Sequence, residues 1–123
     1  MDKKALQQAK KTGALGEQYA ARYLIAQGYE VLNTNFHSKF GEIDIVARKN
    51  NEIIFCEVKT RKNINFGLPQ EAFNYKKYSR IKKTIFIYFQ NNRTNYSRWR
   101  IDLVSILLNS FDEVKELVHY RGV

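Results

Sequence analysis

Apolar residues between Gly13 and Gln27 recur at the spacing of one helix face: Leu15, Tyr19, Ala20, Tyr23 and Leu24. Thr12 stands where an N-cap belongs and Gly28 where the chain would leave the helix. Residues 1–11 then form an N-terminal extension, flexible or helical. Extended structure begins at residues 29–33 and breaks at Gly41. Residues 42–48 and 53–60 are the most strand-like segments, and Arg48-Lys49-Asn50-Asn51-Glu52 between them has turn chemistry. Pro69, with Glu71 nearby, suits the first turn of a second helix. That helix is predicted to run to about residue 90, with Phe73, Ile81, Ile85, Tyr88 and Phe89 on one side. A loop at 91–95 leads to strands at 98–108 and 114–120. Helix, strands, helix, strands is the order of a mixed α/β single sheet. The 123 residues contain no repeat, low-complexity tract or linker, so they read as a single domain over 1–123.

Composition narrows the class. One cysteine, Cys56, excludes an internal disulfide framework and a cysteine zinc finger. His37 and His119 are far apart and make no metal-ligand pair. No stretch has the length and apolarity of a membrane span, and the first residues lack the apolar core of a signal peptide. The expectation is a cytoplasmic protein with no membrane partner.

The formal net charge of +9 points to a polyanionic partner, nucleic acid above all. The excess is local. Residues 61–100 carry ten basic side chains against Glu71 alone, interleaved with aromatic residues such as Tyr78, Phe86 and Trp99. Such interleaving suits a surface that tracks phosphates and stacks bases, or equally a helix with an aromatic core face and a solvated basic face.

The acids are scarcer and more telling. Four of the twelve lie between Glu42 and Glu57, and Asp44 and Glu57 sit inside apolar strand segments. With Asn50-Asn51 as a two-residue hairpin turn, Asp44 falls opposite Glu57 and Glu42 opposite Lys59. Ile43, Ile45, Ala47, Ile54, Cys56 and Val58 would form the apolar alternate face. Like charges side by side among apolar neighbours repel and lose hydration. Lys59 or a bound divalent cation would compensate. Two carboxylates, a backbone carbonyl and water suit Mg²⁺ or Mn²⁺, ions that polarise a phosphodiester and acidify bound water. The alternative is a cross-strand lattice of Glu42 with Lys59, and of Asp44 and Glu57 with an arginine.

Several segments together are similar to a known family. Gly16-Glu17, Gly41-Glu42-Ile43-Asp44-Ile45-Val46, Phe55-Cys56-Glu57-Val58-Lys59-Thr60-Arg61, Phe66-Gly67-Leu68-Pro69, Lys77-Tyr78-Ser79-Arg80-Ile81 and Arg100-Ile101-Asp102-Leu103-Val104 resemble the YraN-like bacterial family. That family is assigned to the PD-(D/E)XK, or restriction-endonuclease-like, nuclease superfamily, and it looks closest there to the archaeal Holliday-junction resolvases. The resemblance covers roughly residues 12–121. It implies an αβββαβ core with a central mixed sheet flanked by helices. It implies catalytic roles for Glu17, Asp44, Glu57 and Lys59, with metal held by Asp44, Glu57 and the Val58 main-chain carbonyl. Ile43 stands where the motif has proline, and Cys56 where the family usually has valine.

The resemblance implies a Mg²⁺- or Mn²⁺-dependent endonuclease acting on DNA, with branched or junction DNA as substrate by analogy and a homodimer as its working form. The competing readings are a non-catalytic nucleic-acid-binding module and an adaptor that binds protein through its aromatic patches. Arg61, Lys76, Lys77, Arg80 and Lys83 are the candidate phosphate contacts. Lys76, Arg80 and Lys83 share one helix face, and Lys77 flanks the apolar stripe. Either set is a binding surface or an ordinary solvated face. Arg100 and Asp102 are placed to pair with each other, Cys56 to pack as a thiol and Trp99 to pack at an edge.

Overall fold

The computed structural model describes residues 2–62 and 74–123. Its elements are α1 (Lys3–Ala26), β1 (Glu30–Ser38), β2 (Gly41–Lys49), β3 (Glu52–Arg61), α2 (Tyr75–Asn91), β4 (Arg98–Leu108) and β5 (Val114–Tyr120). The expected α/β order is present, with β5 added at the end of the αβββαβ sequence. No helix is long and apolar enough to cross a membrane.

The five strands form one mixed sheet in the order β1-β2-β3-β4-β5. Neighbours are antiparallel except β3 and β4, which run parallel in register from Glu52–Arg98 to Arg61–Leu107. A parallel pair needs a crossover, and α2 lies within it. The two helices cover opposite faces. Ala20 and Leu24 of α1 bury against Ile45, Ala47, Ile54, Cys56, Val104 and Ile106. Ile81, Ile85 and Tyr88 of α2 bury against Val46, Ile53, Phe55 and Ile101. Consecutive residues of β2 and β3 therefore enter different cores, which is why these strands are apolar nearly throughout.

Helix α1 starts earlier than Thr12. Asp2 is its N-cap and accepts a hydrogen bond from the Ala5 N–H at 2.7 Å. Residues 3–11 are lysine, alanine, leucine and glutamine, all good helix formers, so the extension continues the helix without needing a buried face. Gly28 is the predicted C′ residue. Its φ is +94°, the Tyr29 N–H returns to the Leu24 carbonyl, and the Gly28 N–H returns to that of Ile25. Helix α2 begins at Tyr75, capped by Asn74, whose side chain accepts from the Lys77 N–H at 2.9 Å. The helix start expected at Pro69, with Glu71 and Phe73, lies outside the described residues.

The β2–β3 register is the one expected. Lys49 pairs with Glu52 and Ile45 with Cys56, so Asp44 and Glu57 are the next opposed positions. Two expectations need correction. Ile43 does not share a face with Ile45 and Ala47; it packs in the α2-side core. The strict alternation of β2 breaks between Ile43 and Ile45, at Asp44. Nor does Glu42 meet Lys59. Its carboxylate lies 3.2 Å from His37 Nδ1, across from it on β1, and both side chains are exposed.

Candidate active site

Three chain segments bring carboxylates together. Asp44 comes from β2, Glu57 from β3 and Glu17 from α1. Asp44 is 7% exposed, and its Oδ2 accepts a hydrogen bond from the Val58 N–H at 2.7 Å. A carboxylate thus takes a backbone donor from β3 where the β2–β3 ladder ends at Ile45 and Cys56.

Asp44 is held in an unusual protonation range. Burial and then the charge of Glu57 push it up to about 8. Glu17 and Glu42 add to the rise, and the Val58 N–H opposes it. Glu17 is also raised, by burial first. A hydrogen bond with Asn35 opposes that rise, the charge of Glu42 adds to it, a hydrogen bond with Asp44 opposes it, and Glu57 adds again. The interactions are mutual, so these acids form one electrostatic group.

Gly16 sets the distance between α1 and the sheet. A Cβ at this position would lie 1.7 Å from Thr60 Oγ1, well inside contact distance. Only glycine allows the helix to lie so close to β3, and that approach carries the next residue, Glu17, toward the site. Asn35, which did not stand out in the sequence, is its partner. It has φ +52°, a conformation asparagine tolerates better than most residues, and it stands across from Asp44 between the pairs Thr34–Ile45 and Phe36–Ile43. Its place in the polar run Asn33-Thr34-Asn35 was the only available clue.

The counter-charge comes from α2. Lys77 Nζ lies 2.6 Å from Glu57 Oε1, and the Glu57 side chain is 14% exposed. Lys77, expected as a phosphate contact or a solvated lysine beside the apolar stripe, lies instead against this carboxylate. Lys76, Lys77 and Arg80 line a cleft of about 360 Å³ together with Gly41, Glu42, Glu57, Asn74 and Ile81. Three cations thus share one opening with the Glu57 carboxylate. Lys59 follows Glu57 by two on β3 and is half-buried.

Two predicted phosphate contacts stand elsewhere. Lys83 is on the same helix face as Arg80 but lies over the Phe40 ring, outside the cleft. Arg61 ends β3, and among the described residues its buried Nη1 has no hydrogen-bond partner.

Arg100 and Asp102 do pair, within a larger network. Asp102 is fully buried. It accepts from Arg100 Nε at 2.8 Å and the Gly122 N–H at 3.0 Å, while His119 Nε2 lies 2.7 Å from its Oδ2. His119 Nδ1 lies 3.0 Å from the Tyr23 hydroxyl, and Arg100 Nη1 binds Glu52. Burial would raise the Asp102 carboxyl, but the hydrogen bonds from His119, Arg100 and Gly122 hold it below the usual carboxylate range. The network ties β5 and the chain end to β4 and α1. Cys56 is a packed thiol: it is fully buried, and burial pushes it well up. Trp99 packs edge-on to Phe55 at 6.0 Å between ring centres.

Among the described residues no three His, Cys, Asp or Glu side chains form a metal-binding set by themselves. What Asp44 and Glu57 offer is hard carboxylate oxygen on neighbouring strands. Completed by a backbone carbonyl and water, that is the chemistry Mg²⁺ and Mn²⁺ accept and softer metals do not require.

Comparison with known proteins agrees with the motif reading at the family level. Residues 16–106 match the model of uncharacterised protein family UPF0102. The UPF0102 protein of Dictyoglomus turgidum is 44% identical over 105 residues, covering 85% of this chain and 89% of that protein. Its counterpart in Caldicellulosiruptor bescii is 43% identical over 110 residues, covering 88% and 92%. That of Alkaliphilus oremlandii is 45% identical over 101 residues, covering 80% and 86%. The matched region holds Glu17, Asp44, Glu57, Lys59 and Lys77 alike, and the chain belongs to the UPF0102, or YraN-like, family.

Proposed function

We propose that this chain is a Mg²⁺- or Mn²⁺-dependent endonuclease of the PD-(D/E)XK superfamily that hydrolyses DNA phosphodiesters. The observation that carries the reading is the opposition of buried Asp44 to Glu57, which lines a cleft with Lys76, Lys77 and Arg80. A structural role does not call for two acids in such a place. The burial and repulsion that raise Asp44 are a standing cost, and functional sites are where such costs are kept.

Asp44, Glu57 and the Val58 carbonyl would hold the ion, which supplies Lewis-acid polarisation of the scissile phosphate and an acidified water. Glu17, acting through its hydrogen bond with Asp44, orients that carboxylate. Lys59 supports the attacking water and the charge that develops on phosphorus. Lys76 and Arg80 grip neighbouring phosphates, with Lys83 and Arg61 further along the backbone. Branched or junction DNA is the proposed substrate class, by analogy with the resolvases. Resolving a four-way junction requires two symmetric cuts and so a homodimer, working with the DNA in the cytoplasm.

One observation favours a second reading. Lys77 lies against Glu57 and supplies a protein counter-charge, as a non-catalytic nucleic-acid-binding module would require. Incubation of linear, nicked, flap and four-way DNA with the protein and Mg²⁺ or Mn²⁺, against Lys59→Ala, decides between them. Metal-dependent cutting lost in Lys59→Ala supports the endonuclease. Cutting retained in the variant points to a contaminant, and no cutting of any substrate leaves the binding module.

A further inference from the structure

Helix α2 carries its basic face beyond the cleft onto a second surface. There Lys39 and Phe40, in the β1–β2 turn, meet Lys82, Lys83, Phe86, Ile87 and Gln90 around a shallow recess of about 590 Å³. None of these seven residues is acidic. The ammonium groups of Lys39 and Lys83 lie 5.2 and 5.4 Å from the centre of the Phe40 ring. Lys82 lies 5.0 Å from that of Tyr78. Phe86, one turn past Lys82 and Lys83, leaves 65% of its surface in solvent.

The Phe86 ring, left in water on a face that also carries Lys39, Lys82 and Lys83, adds nothing to the core. It matches a ligand that has both a flat apolar face and negative charge at close spacing. A nucleic-acid strand has both. The surface is also continuous with the cleft. Lys76, Arg80, Lys83 and Phe86 follow at intervals of four, three and three residues, a span of about 15 Å along the helix. That is about four nucleotides at about 3.4 Å each. Gly41 lines the cleft immediately after Phe40, and a Cβ there would stand 3.7 Å from Arg80 Cβ.

We propose that Phe86, flanked by Lys82, Lys83 and the Lys39–Phe40 turn, is a stacking platform for an unpaired base of a nucleic-acid strand. The strand's phosphates run along Lys83, Arg80 and Lys76 to the Glu57 cleft. In a continuous duplex both faces of each base are already stacked, so the platform selects strands with free bases, as in gaps, flaps and branch points. The path of the strand into the cleft rests on the endonuclease reading; the platform itself does not.

The test is binding of the full chain, in EDTA, to a labelled oligothymidylate, an abasic strand of equal length and a blunt duplex. The wild type should favour oligothymidylate over both. Phe86→Ala should weaken oligothymidylate binding about tenfold and leave abasic-strand binding unchanged, while Phe86→Trp restores it. Equal loss on both strands, or on neither, overturns the platform. So does a wild-type dimer that Phe86→Ala converts to monomer with oligothymidylate binding unaltered, which would make the patch a self-association face. Cutting is measured separately with Mn²⁺. A chain that discriminates the strands but cuts nothing keeps the platform and loses the nuclease. A chain that cuts but treats Phe86→Ala like wild type keeps the nuclease and loses the platform.

Discussion

The Val58 N–H donates to Asp44 Oδ2 at 2.7 Å, beside the Glu57 carboxylate that disfavours charge on the same group. Asp44 is therefore held in place by a hydrogen bond that either protonation state can accept. Its raised pKa has a direct consequence for stability.

A carboxyl raised from 3.8 to about 8 binds more protons folded than unfolded. Its contribution is full below about pH 4 and is lost as pH rises to about 8. Asp44→Asn keeps an acceptor for Val58 and removes the charge. Denaturant titrations should show the variant more stable than wild type by about 1–3 kcal/mol above pH 8, and similar to it near pH 4. Equal stability at both pH values would mean that Asp44 is not held protonated.

Under the proposed endonuclease reading, Mn²⁺ would compete with that proton. Thermal shift on adding Mn²⁺ should grow from pH 6 to pH 8 in the wild type and vanish in Asp44→Asn. Lys77→Met removes the ammonium beside Glu57 and should enlarge the shift at pH 8, because the carboxylates then lack their internal cation. A smaller shift in Lys77→Met would show that Lys77 helps to build the site.

Asp102 behaves oppositely. Its depressed pKa supplies stability that is present above about pH 4 and lost on acidification through its folded value. Asp102→Ala leaves Arg100 and His119 facing a fully buried void. Chemical denaturation near pH 7 should show a loss of about 3–5 kcal/mol. Nucleic-acid binding by the folded fraction should persist, since this network stands apart from the Glu57 cleft.

Gly16→Ala places a methyl where Thr60 Oγ1 already is. The expected loss is about 1–3 kcal/mol, as for overpacking, and Thr60→Ala, which removes Oγ1, should recover part of it. In an active enzyme the same change should reduce cutting by more than its stability cost explains, because α1 carries Glu17.

The hairpin was legible because its information is local. Asn50-Asn51 and the alternation around them set a register that placed Asp44 against Glu57. Ile43 defied the alternation because a sheet buried on both faces accepts an apolar side chain in either core, so hydrophobicity could not mark the break at Asp44. Lys77 was placed beside the apolar stripe by spacing, but only the crossover from β3 to β4 could decide that it reaches Glu57. The start of α1 was missed because a solvated helix of lysine, glutamine and alanine has no apolar period to read. His119 joins Asp102 through β4–β5 pairing across 17 residues, and no spacing rule reveals such a contact.

The placement of Lys77 also orders events in time. Asp44 and Glu57 belong to a two-residue-turn hairpin, whose contacts are short in sequence and close early. The ammonium partner of Glu57 sits within the crossover and is in place only when α2 docks. On that order the hairpin brings Asp44 and Glu57 together before Lys77 reaches Glu57, which kinetics can test. Stopped-flow experiments should find that Lys77→Met speeds unfolding and leaves the refolding rate nearly untouched, the kinetic signature of a contact made after the barrier.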